Sequence, residues 1–134
     1  MKMTMCGYCC ELCKAYVVNI SRKDERERLS NLWHKYYDLN IPVDKIYCDG
    51  CRCDKDNAKR IDNNCPVRNC VLERGINNCG RCNEYPCATF NERIGLSFQE
   101  AKEKLGEDFC QDDYDNYLLA YDNVRRLSIK KSNN

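Results

Sequence analysis

The longest regular pattern of apolar positions lies in "SRKDERERLSNLWHKYYDLNIP", residues 21–42. Leu29, Leu32, Trp33, Tyr36 and Tyr37 recur at i, i+3, i+4, i+7 and i+8, which is one stripe of a 3.6-residue helix. Ser21 is its expected N-cap. Pro42 ends it, because the residue before a proline is pushed toward extended backbone. The charges from Arg22 to Arg28 alternate in sign, and Lys23–Glu27 and Asp24–Arg28 are expected to pair at i, i+4 on a solvated face.

The remaining pattern breaks into short pieces. "CPVRNCVLERG" predicts a brief helix opened by Pro66 after Cys65 and stopped by Gly75. "YPCATFNERIG" repeats that logic with Pro86 and Gly95, and "SFQEAKEKLG" carries a capping box, Ser97 with Glu100, before a stop at Gly106. A last helix is expected from Asp112 or Asp113, with Tyr114, Tyr117, Leu118, Tyr121 and Val124 on one face. No strand pattern longer than "KIYC" occurs. The expected fold is small and mainly α, with short helices packed around cysteine-rich loops and little or no β. It is read as a single domain over residues 1–128, with a core motif region at 5–90, C-terminal helices at 97–128 and a disordered tail at 129–134.

Composition changes this picture in one respect. Leu, Ile, Val and Phe together number only 26 of 134 residues, while cysteine numbers 13. A chain so poor in large aliphatic side chains needs another source of cohesion, and bound metal is a common one. Disulfides are the rival. The opening "MKMTMCGYCCELCK" has no apolar run or cleavage site of a signal peptide, no segment has the length of a membrane span, and the odd cysteine count leaves one thiol over. The expected location is therefore cytoplasmic, with reduced thiols.

The thiols stand in ordered groups: Cys6-x3-Cys10-x2-Cys13, Cys48-x2-Cys51, Cys65-x4-Cys70, then Cys79-x2-Cys82 with Cys87 four residues beyond. A C-x2-C turn brings two sulfurs to one ion at about 2.3 Å and aims backbone N–H groups at them. Gly50 and Gly80 lie inside two such pairs. All-thiolate sets suit zinc or an iron–sulfur cluster. The opening spacing is also that of radical S-adenosylmethionine enzymes, but these need a barrel of parallel strands that this chain cannot build. Cys9, Cys53 and Cys110 fall outside the groups and read as small buried hydrophobes.

The ordered set "MCGYCCELCKAY … W … CDGC … CPVRNCVLERGINNCGRCNEYPC" resembles a prokaryotic family of small cysteine-rich proteins of unknown function that are regarded as zinc-binding. The matching positions are Cys6, Gly7, Cys10, Cys13, Ala15, Tyr16, Trp33, Cys48, Gly50, Cys51, Cys65, Arg68, Cys70, Gly75, Cys79, Cys82, Pro86 and Cys87. The resemblance implies metal binding without a reaction. Ten cysteines are thus expected ligands: Cys6, Cys10, Cys13, Cys48, Cys51, Cys65, Cys70, Cys79, Cys82 and Cys87. They suffice for about two four-ligand zinc ions. Cys6, Cys10 and Cys13 are expected to share a site with a distant cysteine such as Cys87.

An enzyme is the weaker expectation. The one histidine, His34, has Ser30 and Asp38 at i±4 and reads as a solvated helix edge. Residues 48–82 carry seven Lys and Arg against five acids, but a closed four-thiolate zinc site has a charge of about −2. Two sites would take the chain from +1 to about −3, opposing the phosphate contacts on which nucleic-acid affinity rests. A structural zinc protein acting as an interaction module for a protein partner is the favoured reading. The alternative is an iron–sulfur or thiol redox protein, either electron carrier or sensor.

Overall fold

The computed structural model describes residues 3–132, with side chains over 3–127. Its architecture is mainly α, and no strand occurs among the described residues. Two isolated bridges take the place of a sheet: Met3 with Cys9, antiparallel, and Tyr16 with Cys48, parallel.

Two helices open the chain, α1 (Val17–Arg22) and α2 (Arg26–Tyr37). The predicted stripe holds: Leu29, Leu32, Trp33 and Tyr36 are buried along α2, and Asp38 closes it in the left-handed conformation at φ 56°. Ser21 does not cap α2. It lies inside α1, where its hydroxyl donates to the Val18 carbonyl at 2.8 Å. The charges also pair differently from the expected i, i+4 pattern. Asp24 accepts the Arg26 backbone N–H at 3.1 Å and pairs with its guanidinium, Lys23 reaches Glu25, and Arg28 reaches Asp113 at 2.6 Å. The chain breaks between α1 and α2, so these side chains never share one helical surface.

Helix α3 (Pro66–Arg74) follows the sequence, with Cys65 at its N-cap and Gly75 at φ 67° as its left-handed stop. Helix α4 is shorter than expected, Ala88–Asn91 only. Gly95 does not terminate it but passes against Tyr121, where an added Cβ would lie 1.6 Å from the Tyr121 carbonyl oxygen. Both halves of the capping box form on α5 (Phe98–Leu105).

The expected last helix is interrupted. A short α6 (Gln111–Asp113) widens into a π-helical turn at Tyr114–Leu118, tightens into a 3-10 turn at Leu119–Tyr121, and restarts as α7 (Asn123–Ser132). The extra residue in the wide turn rotates the chain beyond it. Tyr114, Leu118 and Tyr121 still face inward, whereas Val124 is 41% exposed and leaves the predicted face. Residues 129–132, expected as tail, continue α7; residues 133–134 lie outside the described residues.

Two apolar clusters result. The larger packs α2 against α5 and the 114–121 turns, through Leu29, Leu32, Trp33, Tyr36, Ile46, Ala101, Tyr114, Leu118 and Tyr121. Aromatic rings supply much of the area that the few aliphatics cannot. The smaller joins Met5, Val67, Val71, Phe90 and Leu127 with the buried thiols Cys6, Cys65 and Cys79.

Two glycines give opposite expectations. Gly95→Ala must displace main chain and should cost at least about 3 kcal/mol. Gly75→Ala meets no atom within 4 Å and bears only the left-handed penalty, about 1 kcal/mol. Denaturant unfolding of the two variants checks the order, and equal destabilisation would refute it.

Candidate metal-binding sites

The first cysteine loop is pinned from below by Asn19, whose amide donates to the carbonyls of Cys10, Glu11 and Cys13 at 3.2, 3.0 and 2.7 Å. The second loop is stitched to the first through backbone. Cys48 N–H donates to Ala15 O, and Val17 N–H donates to Cys48 O, both at 2.9 Å. Gly50, at φ 100°, then brings the 48–51 turn so close that an added Cβ would touch Cys10 Sγ at 3.9 Å. The Cys10–Cys13 and Cys48–Cys51 turns thus lie side by side. Gly50 N–H points at Cys48 Sγ at 3.4 Å, the N–H···S contact that a thiolate turn needs.

A second set surrounds a cavity of about 320 Å³ between α3 and α4. Cys70, Cys79, Cys82 and Cys87 line it, with Val67, Val71 and Phe90 forming its apolar side. Phe90 N–H donates to Cys87 Sγ at 3.5 Å. Arg74 lies over the rim, donating to Cys70 Sγ at 3.3 Å and Cys82 Sγ at 3.7 Å while pairing with Glu84. Its charge opposes that of any thiolates formed beside it.

Cys6 and Cys65 form a third association. Both are buried in the smaller apolar cluster together with Cys79, and Cys51 packs against it. Cys6 thus packs with the smaller cluster, and Cys87 packs against that same cluster. The C-x3-C step puts Cys6 on the far side of the loop, toward α3, and Cys87 caps α4 beside Cys79. Cys9 is fully buried as expected, Cys53 is half-buried, and Cys110 is exposed rather than buried, at the start of α6.

As placed, no three His, Cys, Asp or Glu side chains among the described residues stand close enough to hold an ion. The donor chemistry nonetheless fits a soft cation: two sets of four thiols, each with N–H groups aimed at sulfur. Closure requires the sulfurs to turn inward. Burial raises the Cys6, Cys13 and Cys51 thiols above their ordinary range and pushes Cys10 up to about 11 and Cys79 to about 12, so a bound ion has to displace their protons.

The profile of a family described as proteins of unknown function, DUF3795, matches residues 2–92. The chain belongs to this family. The matched segment holds both four-thiol sets and the Cys6–Cys65 pair, whereas α5 to α7 lie beyond it. No curated protein and no solved structure matches the chain.

Several site residues escaped the sequence reading. Arg74 was legible only as one of seven basic residues, though its i, i+4 spacing from Cys70 was a usable signal. Asn19 offered none, because its three acceptors belong to a loop whose path no local pattern fixes. Tyr121 was placed in a helix face, yet its hydroxyl meets Cys13 Sγ at 3.0 Å, 108 residues away in sequence. His34 is exposed on α2, as a solvated helix edge should be.

The raised thiols set a pH dependence for the metal-free protein. Folded pKa values above the ordinary 9.0 mean that the folded chain keeps its protons longer than the unfolded chain. That stability is fully present below about pH 9 and is lost as pH rises toward 11 or 12. Urea unfolding of metal-stripped protein should show constant midpoints from pH 7 to 8.5 and falling midpoints from 9 to 10.5. A midpoint that rises over the second interval would contradict the assignment.

Proposed function

We propose that the chain is a zinc protein in which two four-thiolate sites, Cys10/Cys13/Cys48/Cys51 and Cys70/Cys79/Cys82/Cys87, staple the fold of an interaction module. The carrying observation is the stitching of Cys48 to Ala15 and Val17, which sets two C-x2-C turns from distant parts of the chain face to face. Two neutral thiol loops gain little from such alignment, whereas a shared ion closes a loop of more than thirty residues, and closing long loops restrains the unfolded chain most in the loop-entropy picture. Zinc in each set would supply charge neutralisation for four thiolates and a fixed tetrahedral geometry. A net charge of about −3 with both ions bound favours a protein partner over a nucleic acid.

One observation favours a second reading. The cavity within the Cys70/Cys79/Cys82/Cys87 set is roomy for a single ion, and four cysteines around such a space also suit an iron–sulfur cluster.

Elemental analysis of protein purified without added metal separates the readings. Two zinc ions per chain are expected. Cys10→Ser and Cys82→Ser should each remove about one ion and destabilise the fold by several kcal/mol, while Cys9→Ser, Cys53→Ser and Cys110→Ser keep both ions and cost about 1 kcal/mol. Less than half an equivalent of zinc in folded protein would defeat the zinc reading. Iron with acid-labile sulfide would establish the redox one instead.

A further inference from the structure

Tyr121 lies outside the family segment, yet its buried hydroxyl meets a thiol of the first set. Its ring is 7% exposed and is held edge-on by Tyr8 at 5.2 Å and Tyr37 at 6.1 Å, with Trp33 tilted at 6.3 Å. Tyr8 is itself anchored by its hydroxyl donating to the Arg93 carbonyl at 2.8 Å. The phenol therefore has no freedom to swing aside, and its oxygen stays where two partners reach it: Trp33 Nε1 at 3.2 Å and Cys13 Sγ at 3.0 Å.

Donor chemistry sets the direction of the first of these hydrogen bonds. An indole N–H can only donate, so the phenol oxygen accepts from Trp33. The phenol has one proton, and the remaining partner is the Cys13 sulfur. Either atom can donate across this contact while Cys13 is a thiol; a sulfur bound to zinc carries no proton and then accepts from the phenol. We infer that Trp33 and Tyr121 form a two-step hydrogen-bond relay that positions the Cys13 sulfur as a ligand of the first metal site, with Tyr121 as a positioning residue supplied from the segment beyond the family region. The inference rests on the zinc reading above. Its consequence is that residues 114–121 are part of the metal site and not merely its packing: the π-helical turn of Tyr114–Leu118 sets the rotation that brings Tyr121 over Cys13. Outer hydrogen bonds of this kind orient a ligand and are worth about 10–100-fold in metal affinity.

The test uses the full chain loaded with cobalt(II), whose thiolate-to-metal charge-transfer band reports the electron density on sulfur. Tyr121→Phe keeps the ring and removes the proton. Its band should move to lower energy, and one of the two binding steps in a chelator competition should weaken by about 10–100-fold while the other is unchanged. Trp33→Phe keeps the phenol and removes its N–H partner, so the same band should move in the same direction by less. If Tyr121→Phe fails to fold, the Trp33→Phe band and competition decide. An unchanged band and unchanged affinities in the folded variants overturn the relay and leave the zinc reading standing. Absence of any thiolate–cobalt band in the unsubstituted chain overturns the zinc reading, and the relay with it.

Discussion

The two backbone hydrogen bonds that tie Cys48 to Ala15 and Val17 fix more of this molecule than any other contact. They are made by main chain, so no side-chain pattern announces them, and they join residues more than thirty positions apart. On one side of the joint stands α2, whose stripe packs over Ala15 and Ile46. On the other stands the loop of residues 49–65, which has almost no regular structure of its own. With the joint in place, Gly50 can approach Cys10 and the 48–51 turn faces the 10–13 turn. Without it, four thiols would lie on independent loops, each bearing its own ordering entropy.

What the sequence made legible is what local chemistry decides. The stripe of α2, the Cys65–Pro66 start and Gly75 stop of α3, and the Ser97–Glu100 box of α5 all depend on residues within one or two turns of each other. The failures share a different cause. Ser21 was a reasonable cap in isolation, but α1 already used its backbone, and a carboxylate at Asp24 took over the turn. Gly95 stands where a helix stop is expected after Pro86. Its actual use is clearance for the Tyr121 carbonyl, a long-range demand. Cys6 likewise packs with Cys65, Val67 and Val71 in the smaller cluster, which its spacing from Cys10 does not announce. Spacing determines which sulfurs can reach one ion, whereas the side of the loop on which each emerges is set by the chain packed behind it.

Partition into two clusters also gives the two thiol sets unlike surroundings. The first borders the aromatic cluster, with Cys13 under Tyr121 and Trp33. The second opens toward solvent, with Arg74 half-exposed above Cys70 and Cys82. Hydrogen bonds to sulfur are supplied by neutral, enclosed groups in one case and by a half-exposed cation in the other. Charge compensation by a guanidinium is weakened by water and salt, while a phenol locked among rings is not. The same four-thiol chemistry is therefore set in two dielectric environments within 134 residues.

The basic residues of the cysteine loops show how far a charge count is from a binding surface. Arg52 donates to the Met3 and Asn77 carbonyls at 3.0 and 2.7 Å, Arg60 to Gly50 at 3.2 Å and to Cys53, and Arg68 to Cys51 at 2.8 Å. Irregular loops leave carbonyls without ladder partners, and a guanidinium with its five fixed donors can satisfy several at once. These arginines brace the path of residues 48–53 and join it to the chain on both sides. Lysine would lose the fixed planar fork with which Arg52 and Arg60 each reach two carbonyls. Arg74 is likewise occupied, by two sulfurs and Glu84. Four of the seven positive side chains between Cys48 and Cys82 are thus committed within the fold, and the loop that holds the thiols is built from arginine as much as from cysteine.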